Sequence, residues 1–152
     1  MSVFSLFTYV FYLAALFASA LALWKGDQPL RMAAVATIIS WSLTPLIDYW
    51  DPDHVNLVAT TVDGLTTTAY IWISMRWRRL WSVALSASGI LLVLCPLVYA
   101  VDHRVHAAGW IAVNNILAVA QLAILLVATQ LAFLARNRVR ESAVRTFEQD
   151  AA

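Results

Sequence analysis

Polar and ionisable side chains recur at helical spacing inside three apolar stretches of this sequence. Steps of three and four residues place a set of side chains on one face of a helix. The central stretch repeats such steps at Asn56, Thr60, Asp63, Thr67, Tyr70 and Ser74. The stretch before it does so at Thr37, Ser40, Thr44 and Asp48, and the last stretch has Asn114, Asn115 and Gln121. Because such groups are costly in lipid and usually face the interior of a bundle, we expect these three helices to surround a polar axis.

Asp63 is the sharpest feature of that axis. It lies eight residues after Val55, which is about 12 Å along a helix at 1.5 Å per residue. A carboxylate at that depth must pair, meet water or take up a proton. Asn114 and Asn115 lie at a similar depth and are its predicted hydrogen-bond partners. Two interpretations follow: a proton or cation site, or a neutral, hydrogen-bonded residue that fixes helix register.

A second group of candidate residues lies in two of the connections between apolar stretches, at residues 50–54 and 102–106. The group consists of His54, His103 and His106 with Asp51 and Asp53. Imidazoles and carboxylates bind zinc and related metals, so one interpretation is a metal site. The other is a set of solvated loop residues, because the spacing matches no metal-binding motif. We expect no other cofactor.

The composition predicts the kind of fold that positions these residues. Of the 152 residues, 62% are hydrophobic and 12% are charged, whereas soluble domains have roughly 45–50% apolar and about 25% charged residues. This composition predicts an all-α, polytopic membrane helix bundle in which each span needs about 20 apolar residues. Five spans are predicted, at about Val3–Trp24, Met32–Tyr49, Val55–Met75, Leu80–Val101 and Ala107–Ala135.

Residues 1–135 are therefore expected to form a single transmembrane bundle, and residues 136–152 a basic, then mixed-charge tail. A cleaved signal peptide ending at Ala18-Ser19-Ala20 is the competing interpretation of the first stretch. The residues that precede it carry no positive charge, which a signal peptide normally has. We therefore prefer a first span.

The orientation follows from the basic residues, which are retained on the cytoplasmic side of a membrane. An N-terminus outside and a C-terminus inside leaves only Arg104, of ten basic residues, on the outer face. This asymmetry predicts a multi-pass protein of the inner (plasma) membrane. Six arginines are predicted to anchor the topology or to contact lipid head groups: Arg76, Arg78, Arg79, Arg136, Arg138 and Arg140.

The segment Asp63-Gly64-Leu65 and the basic turn Arg76-Trp77-Arg78-Arg79-Leu80 resemble small uncharacterised multi-span membrane proteins of alphaproteobacteria and their phages. The resemblance covers the third and fourth predicted helices. It implies a bacterial or phage inner-membrane setting and carries no activity with it.

The expected function is that of a non-enzymatic structural or accessory membrane component. The sequence has no G-x-S-x-G, H-E-x-x-H or C-x-x-C motif. A minimal proton or cation pathway through Asp63 is the alternative, and an outer-face metal-binding protein or membrane enzyme is the third. Expected partners are membrane lipids, with a membrane-protein partner or a homo-oligomer also open, and no nucleic acid.

Overall fold

The computed structural model describes residues 3–48, 57–101 and 107–150. These residues form five helices: α1 (Val3–Lys25), α2 (Gln28–Asp48), α3 (Leu57–Trp77), α4 (Leu80–Val101) and α5 (Ala107–Asp150). The prediction of an all-α chain with five helices is confirmed. The bounds of α4 agree with the sequence prediction residue for residue, because basic residues precede it and a polar segment follows it.

The start of α2 differs from the prediction, which placed it at Met32. The helix begins at Gln28, and the carboxylate of Asp27 accepts a hydrogen bond from the backbone N–H of Leu30 at 3.4 Å. Asp27 is thus the N-cap, and Pro29 falls in the first turn. Proline fits there because the first N–H groups of a helix have no intrahelical acceptor.

The helices alternate in direction around a closed ring. Each helix packs against its neighbours in the chain, α5 packs against α1, and α2 also contacts α5. We call the end at which α1, α3 and α5 begin the cavity end. The opposite end, where α1 stops at Lys25 and α3 at Trp77, is the basic end.

Helix α5 extends well beyond the other four. It has 44 residues, about 66 Å at 1.5 Å per residue, whereas α1 to α4 have 21 to 23. Lys25, the last residue of α1, contacts the ring of Phe133. The part of α5 after Phe133 therefore projects past the basic end, and the predicted tail continues the helix as far as Asp150.

Polar residues share the interior of the bundle with apolar ones, while many large apolar side chains lie on its surface. The hydroxyls of Ser19, Thr37, Ser86 and Thr129 belong to buried residues. Large apolar side chains lie on the outside of all five helices; Leu80, for example, is 90% exposed. Within the described residues, two helical segments are long and apolar enough to cross a membrane, Leu80–Val101 and Ile111–Ser142, each with a mean hydropathy of 2.2.

The basic half of the bundle is closely packed. Its centre is an apolar cluster built from all five helices: Ala22, Leu30, Ala33, Ala34, Tyr70, Ile73, Leu85, Leu125 and Ala128. Between α3 and α4 the backbones approach closely, since a Cβ added at Gly89 would lie 2.7 Å from Thr67 Oγ1. Small residues allow this approach.

Candidate functional site

A polar cavity of about 220 Å³ occupies the half of the bundle near the cavity end. Most of its polar groups come from the three helices whose stripes the sequence identifies, α2, α3 and α5, and Tyr12 of α1 adds a hydroxyl. The lining residues are Tyr12, Ser40, Trp41, Thr44, Asp63, Thr66, Thr67, Tyr70, Leu92, Asn114, Asn115, Ala118 and Gln121. A space of this size and polarity is large enough for several water molecules.

Asp63 is partly buried in the wall of this cavity, on the first half of α3. Its Oδ1 accepts a hydrogen bond from Ser40 Oγ on α2 at 3.2 Å. The predicted partners Asn114 and Asn115 line the same cavity. The contact with Ser40 was not predicted. It shows that α2, the neighbour of α3 in the ring, supplies a donor to the carboxylate.

A pair of hydroxyls ends the polar region toward the basic half. Thr37 Oγ1 donates to the carbonyl oxygen of Ala33 at 2.8 Å and lies 2.8 Å from Tyr70 Oη. A hydroxyl has one proton to donate, so Tyr70 is the donor to Thr37. Tyr70 is 2% exposed and also belongs to the apolar cluster of the basic half. The lined cavity therefore ends at Tyr70, and beyond it a buried hydroxyl such as that of Thr129 bonds to a carbonyl of its own helix.

An aromatic pair forms the wall between this cavity and a second one. The rings of Tyr12 and Trp41 meet edge to face, with centroids 5.6 Å apart. Behind them, a mostly apolar cavity of about 190 Å³ lies between α1 and α2. It reaches Ser19, whose buried hydroxyl has no hydrogen-bond partner among the described residues. Sequence reasoning missed both aromatic residues as cavity residues. Tyr12 lies in an apolar stretch with no polar repeat, whereas Trp41 lies within the α2 stripe, between Ser40 and Thr44, but was not counted among its polar residues.

Several predicted residues do not join the cavity. Thr60 is partly buried on α3 but does not line it. Asp48 ends α2, and its side chain is outside the described part of the structure. The candidate metal ligands lie outside the described residues altogether: His54, His103, His106, Asp51 and Asp53. Within residues 3–48, 57–101 and 107–150, no three His, Cys, Asp or Glu residues are grouped to hold a metal ion.

The predicted anchor arginines lie at the basic end or on the projecting part of α5. Arg76 lies over the ring of Trp77, 5.6 Å from its centroid. Arg78 forms the turn before α4 with φ of 47°, in the left-handed region. Arg79 lies 3.8 Å from Asp27 across the two turns of this end. Arg136, Arg138 and Arg140 are exposed on α5.

The cavity brings together one carboxyl group, two amide-bearing asparagines, a glutamine and several hydroxyls. Such a set has hydrogen-bond donors and acceptors on most sides and one group able to carry a negative charge. It is suited to hold water, a small polar molecule or a cation. Comparison with protein-family models, with curated proteins and with solved structures found no match to this chain.

Proposed function

We propose that this chain is a five-span protein of the inner (plasma) membrane that acts as a non-enzymatic structural or accessory component. The exposure of large apolar side chains over the outside of the bundle is the observation that carries this proposal. In the apolar 18-residue stretches of the two candidate spans, only 33% and 28% of the residues are buried within the bundle. The core helix of a soluble protein would be mostly buried, whereas these apolar faces need lipid around them.

The distribution of charge supports the proposed orientation. Lys25, Arg31, Arg76, Arg78 and Arg79 belong to the ends and turns of α1 to α4 at the basic end. The projecting part of α5 adds Arg136, Arg138 and Arg140. Basic residues favour the cytoplasmic side, so the basic end faces the cytoplasm in this proposal and the cavity end faces outward. A bacterial or phage-related setting, which the resemblance implies, is part of the same proposal.

A pair of C-terminal fusions tests this orientation. We expect a fluorescent protein fused after residue 152 to fluoresce, because it would fold in the cytoplasm. Alkaline phosphatase fused at the same position should stay inactive, because its disulfides form only outside. Active phosphatase together with a dark fluorescent protein would contradict the orientation.

A proton or cation pathway through Asp63 is the second candidate function, and the acidic polar cavity favours it. The argument against it is the packing of the other half, where Ile73, Leu85 and Leu125 are at most 2% exposed. A path for ions needs water or polar groups along its whole length. We therefore rank a non-conducting bundle first.

Flux measurements in liposomes separate the two functions. We expect the purified protein to pass protons and Na⁺ no faster than protein-free liposomes, and Asp63→Asn to behave in the same way. Thr61→Ala is a suitable control, since Thr61 lies on the exposed side of α3. Flux through the wild type and Thr61→Ala that Asp63→Asn abolishes would replace the first proposal by the second.

A further inference from the structure

A basic groove lies at the junction of α1 with the projecting part of α5. It is an open groove with a volume of about 360 Å³. Its lining residues are Trp24, Lys25, Phe133, Arg136, Asn137 and Arg140. The first two residues end α1 and the other four lie on one face of α5, at steps of three and one. The groove is separate from the polar cavity, since the two have no lining residue in common.

The aromatic residues hold Lys25 at the groove. Its Nζ lies 4.7 Å from the centroid of the Phe133 ring and 5.5 Å from that of Trp24. Cations over aromatic rings at these distances are attracted to the ring face. The α1–α5 packing that brings these residues together includes the buried cluster of Ala15, Ala18 and Leu122. The cation is therefore positioned by the fold and not only by its own flexible side chain.

The charges that line the groove are all positive. Lys25, Arg136 and Arg140 converge on it with the amide of Asn137, and no carboxylate is among the described residues that line it. Arg79 at the same end is different, because it lies 3.8 Å from the carboxylate of Asp27. Three like charges that share one groove repel each other, and a bound anion would offset part of that repulsion.

We propose that this groove binds the phosphate of an anionic phospholipid head group. Guanidinium groups match phosphate oxygens in geometry, and basic pockets beside cytoplasmic helix ends bind anionic head groups. Trp24 is 76% exposed, as suits a ring that lies at the lipid–water interface beside the bound lipid. The inference rests on the proposed membrane placement, which puts the end of α1 at the level of the inner head groups.

The test is a lipid titration of the full chain in a neutral detergent, followed by native mass spectrometry. Phosphatidylglycerol is compared with phosphatidylcholine, whose head group has no net charge. We expect the wild type to retain phosphatidylglycerol preferentially, and Lys25→Gln with Arg140→Gln to bind it about 10- to 30-fold more weakly. Lys25→Arg should keep the preference, because it keeps the charge.

The matched control is Arg78→Gln with Arg138→Gln. It removes the same charge from residues that do not line the groove, and it should change the affinity by less than about twofold. Helix content, measured by circular dichroism, should be equal in all variants. An equal loss of binding in both double variants would mean that net charge alone causes the effect, and it would overturn the proposed site. Equal retention of the two lipids by the wild type would also overturn it.

Competition with inorganic phosphate distinguishes binding of a lipid phosphate from binding of free phosphate. Displacement of phosphatidylglycerol by millimolar phosphate would mean that the groove is a site for free phosphate, and the lipid proposal would be wrong. We expect the lipid to stay bound. A chain with the expected fusion topology but no lipid preference would refute the groove alone, whereas inverted topology would refute the proposed placement itself.

Discussion

Replacement of Gly89 by leucine is expected to destabilise the bundle by about 1–3 kcal/mol, the usual cost of overfilling a packed core. A Cβ at this position would lie 2.7 Å from Thr67 Oγ1 and 3.2 Å from its Cγ2. Thr67 is buried and β-branched, so rotation about its χ1 brings another heavy atom into the same space. Helices α3 and α4 would have to separate, which would also disturb the cavity wall at Thr67.

Gly64→Ala, compared with Gly89→Ala, provides the matched control for the effect of an added Cβ. Gly64 also lies inside a helix, but a Cβ there would meet no heavy atom within 4 Å. Gly64→Ala should therefore stabilise α3, by up to about 1 kcal/mol, because alanine is the better helix former. The measurement is loss of helix content during denaturant titration of each variant in micelles.

The removal of Thr67's branched side chain should rescue the defect if the contact with Thr67 causes it. We expect Gly89→Ala to be less harmful in a Thr67→Ala background than in the wild type, since the colliding atoms are then absent. Additive effects of the two substitutions would mean that the contact does not limit the approach of α3 to α4. Equal stability of the Gly89→Leu variant and the wild type would contradict the close packing itself.

Thr67 and Gly89 show which features of the helix packing the sequence can predict and which it cannot. The periodic spacing on α3 identified the face that carries Asp63 and Thr67. The contact between Thr67 and Gly89 could not be predicted, because periodicity fixes a face within one helix but not the height or rotation of one helix against another. Those depend on connection lengths and on side-chain sizes across the whole interface.

The surroundings of Asp63 were only partly predicted for the same reason, namely that periodicity does not fix how one helix lies against another. Its depth suggested Asn114 and Asn115, which do line the shared cavity, while the donor Ser40 lies on a helix whose polar stripe was predicted separately. Equal depth in a membrane is a weak criterion, since five helices present residues at every level. The ring order, in which α2 and α4 are the neighbours of α3, decides which side chains meet.

The five-span proposal is tested most directly at helix α3, because α3 is not among the described segments that are apolar enough to span a membrane alone. Its 21 residues include Asp63 and five threonines. Isolated α3, placed in a reporter protein, is therefore expected to insert poorly into microsomal membranes, and Asp63→Leu to make it insert well. At a helix centre the exchange of aspartate for leucine is worth about 3–4 kcal/mol, and somewhat less at the seventh residue of α3.

The full chain should behave differently from the isolated helix. There, α3 packs between α2 and α4, and Ser40 donates to the carboxylate of Asp63, so its polar face is sheltered within the bundle. We expect wild-type α3 to span in the full chain, and Asp63→Leu to leave the topology unchanged. Fusions at the C-terminus cannot test this point, since three spans would give the same result as five.

A cysteine introduced by Asp53→Cys separates five spans from three, in a chain whose own cysteine is removed by Cys95→Ser. If α2 and α3 both cross the membrane, residue 53 lies outside and a membrane-impermeant thiol reagent labels it in intact cells. If neither crosses, residue 53 stays in the cytoplasm and is labelled only after lysis. The second result would reduce the bundle in the membrane to α1, α4 and α5, and would place the Asp63 cavity in water. Labelling in intact cells, together with poor insertion of isolated α3, would mean that the neighbouring helices hold Asp63 in the membrane.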